Sequence, residues 1–270
     1  MSFYTSLTGI KGAQTDLDVI SHNLANVETS GFKRSTVNFA DLVPSSTMTD
    51  PRMTVGIGTR VSSITQSFTQ GPIEQTGKAL DLAISGEGFF AVKSAESGEV
   101  AYTRNGGFSV DENGFIVRGN DRLQIFPAAA DGTVDPAGTP ADAQIPAVNA
   151  SGSPFAGIVV ADDGTMSASY ADGSVTVIGR VALATFIAPE GLKQLGSTKW
   201  QATGISGAAG YGVPGDGRFA EIMSGSIERS NVDITEELVG LITAQRNFQA
   251  NAKAIDTASQ ITQTIIGIRT

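Results

Sequence analysis

The stretch SNVDITEELVGLITAQRNFQANAKAIDTASQITQTIIGIRT, residues 230–270, decides how this chain is read. Steps of four and three residues from Ile234 meet Leu238, Leu241, Gln245, Phe248, Ala252, Ile255, Ser259, Thr262 and Ile266. Seven of these ten positions are apolar, which is the seam of a long amphipathic or coiled-coil helix. Asp233 with Glu236 three residues on supplies a capping pattern at its start. No proline follows Pro214, so nothing need break the helix. The other end of the chain carries a second seam: Phe3, Ser6, Ile10, Ala13, Leu17, Ile20, Leu24 and Val27 share the same spacing. Complementary helices at both termini predict that the two ends of the chain meet.

Charge and breakers separate these ends from the middle. The net charge is −9, which disfavours nucleic acid as a partner because phosphate binding needs a basic face. Residues 1–43 and 225–270 each carry only −1, whereas residues 44–224 hold −7. Near-neutral helical ends suit close packing among copies, and an acidic middle suits a solvated exterior. The ten prolines all lie between 44 and 214, so the middle cannot be helical throughout. No run of about 18 apolar residues occurs, so no membrane insertion is expected. Lys11 interrupts the N-terminal stretch before it becomes the apolar core of a secretory signal, so export would use another route. Cysteine is absent, which leaves stability to the core or to neighbours in an assembly.

The first helix, 1–30, ends at Thr29-Ser30-Gly31, and an extended linker is expected over 31–70. Lys33 and Arg34 are either a solvated pair or a contact between subunits. Residues 39–42 are helical or extended, 45–51 form a polar loop, and the alternation in VGIGTRVSSITQSF (55–68) favours strand. Over 71–225, short β-rich runs at 80–84, 88–92, 100–104, 115–117, 158–160, 175–178 and 181–186 alternate with turn signals. Those signals are Glu112-Asn113-Gly114, Asp131-Gly132, Asp163-Gly164 and Asp172-Gly173, pairs that tolerate positive φ. Residues 128–157 are Ala-, Gly- and Pro-rich and read as a surface excursion. The expected fold class is α+β. Long N- and C-terminal helices (1–30 and 226–270) pair as a coiled-coil-like core, with a central antiparallel β-rich domain between them in sequence.

Candidate chemistry is sparse. His22 stands alone on the first helix, too isolated for a zinc cluster or a nucleophile relay. Gly86-Glu87-Gly88 lacks the third glycine of a dinucleotide loop, and no phosphate-binding GxxxxGK[ST] occurs. Neither Asp111-Glu112-Asn113-Gly114 nor Asp162-Asp163-Gly164 has the spacing of a calcium loop. No catalytic residue, metal ligand or cofactor is assigned. The remaining enzymatic class is a secreted wall hydrolase with two carboxylates about 5–10 Å apart in one cleft. The favoured class is a structural protein forming a homopolymer through its helical seams. The residues expected at the subunit interface are Ile10, Leu17, Ile20, Leu24, Val27, Leu238, Leu241, Phe248, Ile255 and Ile266.

Two segments carry a family resemblance. NLANVETSGFKRS (23–35) and SNVDITEELVGLITAQRNFQANAKAIDTASQ (230–260) resemble the N- and C-terminal signatures of bacterial flagellar rod and hook proteins. His22 stands where many members have asparagine. LDLAISGEGFFAV (80–92), YTRNGGFSVDENGFIV (102–117) and VALATFIAPEGLKQLGSTKW (181–200) resemble the same family's globular segments. The ends MSFYTSLTGIKGAQTDL and QRNFQANAKAIDTASQITQTIIGIR look most like a hook protein, and only residues 43–55 separate Leu42 from Gly56. That separation is shorter than in distal-rod members, while the short middle resembles the rod. The resemblance implies an extracellular tube exported by the flagellar type III apparatus without a cleaved signal. Distal rod, hook cap and hook-filament junction proteins would be its partners. In such a tube the helical core would carry torque while the outer domains slide.

Overall fold

A computed structural model describes residues 2–43, 56–129, 133–135 and 138–268. The polar loop read at 45–51 and the Asp131-Gly132 turn lie outside the described residues. The chain divides into two compact units. One comprises 1–27, 34–67 and 232–270, and the other comprises 28–33 and 68–231.

The first unit is built on two helices, α1 (Ser2–Ala25) and α2 (Ile234–Ile268). Asp233 caps α2: its Oδ1 accepts the backbone N–H of Thr235 at 2.7 Å and of Glu236 at 3.1 Å. Glu236 and Glu237 in the first turn add negative charge where the helix dipole is positive. The helices pack antiparallel, with Asn23 opposite Glu237, Ile20 opposite Gly240 and Gly9 opposite Asn251. Small residues permit this approach, since a Cβ on Gly9 would lie 2.5 Å from Asn251 Oδ1. Beside α1 lies a two-stranded antiparallel hairpin, β1 (Ser35–Leu42) and β2 (Gly58–Gln66), bulged at Asn38/Phe39. The residues read as either helical or extended, 39–42, are therefore strand. Thr8 Oγ1 accepts the Thr59 N–H at 3.3 Å, and Phe39 lies over Gly12, where no Cβ intervenes.

The second unit is β-rich, with every named strand pair antiparallel. Its largest sheet runs Phe155–Val160, Thr165–Tyr170, Val175–Val181, Asp121–Pro127, Phe89–Ser94, Val100–Thr103, Lys199–Gln201 and Lys193–Gly196. Leu82, Ile84, Phe90, Ile116, Leu123, Ile125, Met166 and Leu183 form the main core. A second core gathers Phe89, Tyr102 and Trp200, with Phe68 and Phe186 against them edge-to-face. The end of this unit returns to its beginning: Glu221–Ser224 pairs with Leu82–Ser85, and Ser226–Glu228 with Ile73–Gln75. The excursion at 128–157 contributes more than surface, because Ala143 and Ile145 are buried in the core and Ala141–Asp142 pairs with Asp121–Pro127. The α+β class is thus realised as two terminal helices and a large antiparallel sheet.

Candidate functional site

The helix surfaces come first, because the seams were expected to carry assembly. Ile20 is buried, and Ile10, Leu17, Leu24 and Val27 are half-buried. On α2, Leu241, Phe248 and Ile255 are half-buried, while Leu238 is 45% and Ile266 63% exposed. The face that α2 turns inward runs through Glu237, Gly240, Leu241, Ala244, Phe248, Asn251, Ala252, Ile255 and Ala258. It shares four positions with the apolar seam and passes through polar and small residues elsewhere. An uncovered apolar stripe remains at Ile234, Leu238, Val239 and Ile242. In the antiparallel register Ser2 falls level with residue 258, so the last turns of α2 extend beyond α1. There Ile261, Ile265 and Ile266 are exposed.

Residues of the two terminal signatures meet in this unit. Asn23, buried on α1, donates from Nδ2 to Ser35 O at 2.8 Å and accepts the Ser35 N–H at Oδ1 at 3.0 Å. The same amide nitrogen reaches Glu237 Oε2 at 3.3 Å. Arg34 Nε lies 2.6 Å from Glu237 Oε1, and its Nη1 lies 2.9 Å from Glu236 Oε1. Burial opposes the Arg34 charge, yet the two carboxylates more than offset it and hold its pKa above the ordinary value. The Glu236 side chain thus serves Arg34, and only the Asp233 half of the capping pattern is formed.

The neighbouring signature residues close the β-rich unit. Lys33 Nζ lies 2.6 Å from Glu228 Oε1, with both side chains fully buried, and donates to Thr69 O at 2.7 Å. Glu228 Oε1 also accepts the Gly71 N–H at 2.8 Å, and Oε2 lies 3.5 Å from Arg104 Nη1. Gly31, at φ +69°, donates its N–H to Glu228 O at 2.8 Å. Burial lowers the Lys33 pKa below its ordinary value, with the Glu228 charge opposing the shift. Lys33 is neither a solvated residue nor available to another subunit. Burial requires a partner, and the partner lies 195 positions along the chain.

The acidic turns are occupied by their own backbones. Asp111 Oδ1 accepts the N–H groups of Asn113 and Phe115 at 2.9 and 2.7 Å. Asp163 Oδ1 accepts the Thr165 N–H at 3.0 Å, and Asp172 Oδ1 the Ser174 N–H at 2.9 Å. Hydrogen bonds from the Ser174 side chain and backbone hold the Asp172 carboxyl well below the usual range. His22 is exposed on α1. Among the described residues no group of three or more His, Cys, Asp or Glu could hold a metal. No helix there is long and apolar enough to cross a membrane. Asp162 and Glu221 do line one cavity of about 580 Å³, with Ile73 and Met223.

The fold and these pairings define an α+β structural chain whose first and last segments close on each other in both units. Three family profiles match it: "Flagella basal body rod protein" over residues 3–33, "Flagellar hook protein FlgE/F/G D1 domain" over 83–168, and "Flagellar basal body rod FlgEFG protein C-terminal" over 223–268. The chain is 34% identical to the flagellar basal-body rod protein FlgG of Bacillus subtilis, an alignment covering 99% of this chain and 98% of that protein. It is 29% identical to the flagellar hook protein FlgE of Salmonella typhimurium, covering 100% of both. FlgG of Buchnera aphidicola (subspecies Acyrthosiphon pisum) is 33% identical over 97% of each. The chain belongs to the flagellar rod and hook protein family.

Proposed function

We propose that this protein is a structural subunit of the flagellar hook, a tube formed by many copies through their terminal helices. The observation that carries the reading is the uncovered apolar surface of α2, at Ile234, Leu238, Val239 and Ile242 and again at Ile261, Ile265 and Ile266. An apolar face this extended calls for burial against neighbours. The interface proposed on the seams, Ile10 to Ile266, adds to this surface where those residues are exposed. A coiled-coil-like pairing of α1 and α2 would make each subunit a stiff strut able to carry torque.

The proposed domain boundaries are those of the sequence reading, a helical core at 1–30 and 226–270, a linker at 31–70 and a β-rich domain at 71–225. Export through the type III apparatus without a cleaved signal, and contacts with rod, cap and junction proteins, complete the proposal. Resemblance of both chain ends to hook proteins favours hook. A distal-rod subunit is the second reading, favoured by the near-equal length of the Bacillus rod protein. The hydrolase reading has Asp162 and Glu221 in one cavity, and membership of a family named for rods and hooks weighs against it. Electron micrographs of tubes grown from purified protein separate these readings. Curved tubes support hook, straight ones support rod, and absence of any polymer refutes both.

A further inference from the structure

A groove of about 320 Å³ in the helical unit is lined by Asp16 and Val19 from α1, Val37 from β1, and Gly240 and Thr243 from α2. Arg34, Glu236 and Glu237 also border it, so three carboxylates stand against one guanidinium. That guanidinium is already committed, to Glu236 Oε1 at 2.9 Å and Glu237 Oε1 at 2.6 Å. Asp16 has no such partner. It is half-buried, and it makes no hydrogen bond or ion pair among the described residues. Its neighbours three and four positions away on α1 are Gly12, Ala13, Val19 and Ile20, none of them basic. Burial raises the Asp16 pKa above its ordinary value and is the only cause of the shift. A carboxylate partly removed from water thus stands without a counter-charge beside Val19 and Val37, both half-buried. The group that matches is a cation carried next to an apolar side chain.

The outer face of α2 presents that pairing. Leu238, Ile242 and Arg246 follow one another at steps of four, so Arg246 continues the uncovered apolar stripe, and all three are exposed. Arg246 makes no hydrogen bond or ion pair among the described residues. Its neighbours three and four positions away, Ile242, Thr243, Gln249 and Ala250, carry no charge. Lys253, seven residues on, has Asp256 within one turn, which leaves Arg246 as the unanswered cation of this face. We propose that the groove of one copy receives Arg246 of a second copy, its guanidinium pairing with Asp16 and its neighbour Ile242 lying against Val19 and Val37. The giving and the receiving surfaces differ, so the contact is head-to-tail and can repeat from copy to copy along a polymer. This rests on the self-assembling subunit reading and adds one named contact to it.

Exchanging the two charges gives a direct test. Asp16→Arg and Arg246→Asp should each raise the critical concentration for tube growth about tenfold, followed by light scattering, and the chain carrying both should return to within about threefold of the parent. Asp16→Asn and Arg246→Gln make a second cycle that keeps side-chain shape and should keep the helix content of the monomer by circular dichroism. In that cycle each change weakens growth, and the second adds nothing once the first is made. Growth like the parent's after either neutralising change, or losses that simply add in the second cycle, overturns the contact and leaves the subunit reading standing. So does a double exchange that grows no better than its single changes. If the unaltered chain forms no polymer, the subunit reading falls and the contact with it.

Discussion

Glu228→Gln should destabilise the β-rich unit far more than Lys33→Met, although the two side chains form one ion pair. The Glu228 carboxylate takes hydrogen bonds from Lys33 Nζ and the Gly71 N–H, and Arg104 Nη1 lies at 3.5 Å. Neutralising it strands two buried cations, a loss of about 3–5 kcal/mol for removal of the counter-charge of a buried pair. Lys33→Met removes the bonds to Glu228 and Thr69, but it also removes one buried cation and leaves Glu228 with Gly71 and Arg104. The opposing terms leave a net cost of about 0–2 kcal/mol. Trp200, buried against Phe68 and Phe89, reports unfolding by its fluorescence. With a urea slope of roughly 2 kcal/mol per molar, the glutamine variant should lose about 2 M in midpoint and the methionine variant under 1 M. A pH series adds a second check. Because folding lowers the Lys33 pKa from 10.5, the unfolded chain binds the extra proton in the window just below that value. Stability from this group therefore rises as pH climbs through that window, and Lys33→Met should abolish the rise. Equal midpoint losses, or a larger loss for Lys33→Met, would refute the charge accounting.

Three further outcomes follow from the same geometry. Gly31→Ala should cost about 1–3 kcal/mol, because φ is +69° and a Cβ would lie 2.6 Å from the Asn105 nitrogen; a melting temperature within a degree of the parent contradicts this. Acidification should destabilise the β-rich unit as pH falls from 3.8 through the depressed pKa values of Asp142 and Asp163. In both, burial opposes the charge, and hydrogen bonds from Gln124 and Arg122, or from Thr165, outweigh it, so Asp142→Asn with Asp163→Asn should flatten the acid limb of the stability curve. Leu241→Asp, which places a carboxylate on the half-buried inward face, should lower helix content in the monomer, whereas Leu238→Asp should leave it unchanged and impair only polymer growth; circular dichroism and light scattering distinguish them.

The elements of strongest period were legible in the sequence. Repeats of four and three marked both helices, and Asp233 marked the start of α2 at the residue that caps it. The inward face was harder to read. The antiparallel contact uses Gly9, Gly240, Ala244 and Asn251, where close approach rather than apolar character sets the choice of residue. Thr165–Tyr170 was missed as a strand because the small polar residues Thr165, Ser167 and Ser169 interrupt its apolar character. The alternating burial of Met166, Ala168 and Tyr170 is a signal that a period-two search could have found. Ser197 and Thr198 turn a hairpin at φ 51° and 54° without an Asn-Gly cue, held by Arg118 donating to Ser197 O and Thr198 Oγ1. The Lys33–Glu228–Arg104 cluster joins residues from three distant segments, and no local pattern announces it. Charged residues suggest solvent until their partners are known.

The central claim is that the chain polymerises through its terminal helices, and electron microscopy of full-length and shortened protein tests it most directly. A chain ending at residue 229 keeps Glu228 and the strand Ser226–Glu228, so its β-rich unit should fold with Trp200 emission like the parent's. Under conditions where the full-length protein grows tubes, the shortened chain should grow none. Tubes of normal length from the shortened chain, or no polymer from the full-length one, would contradict the account.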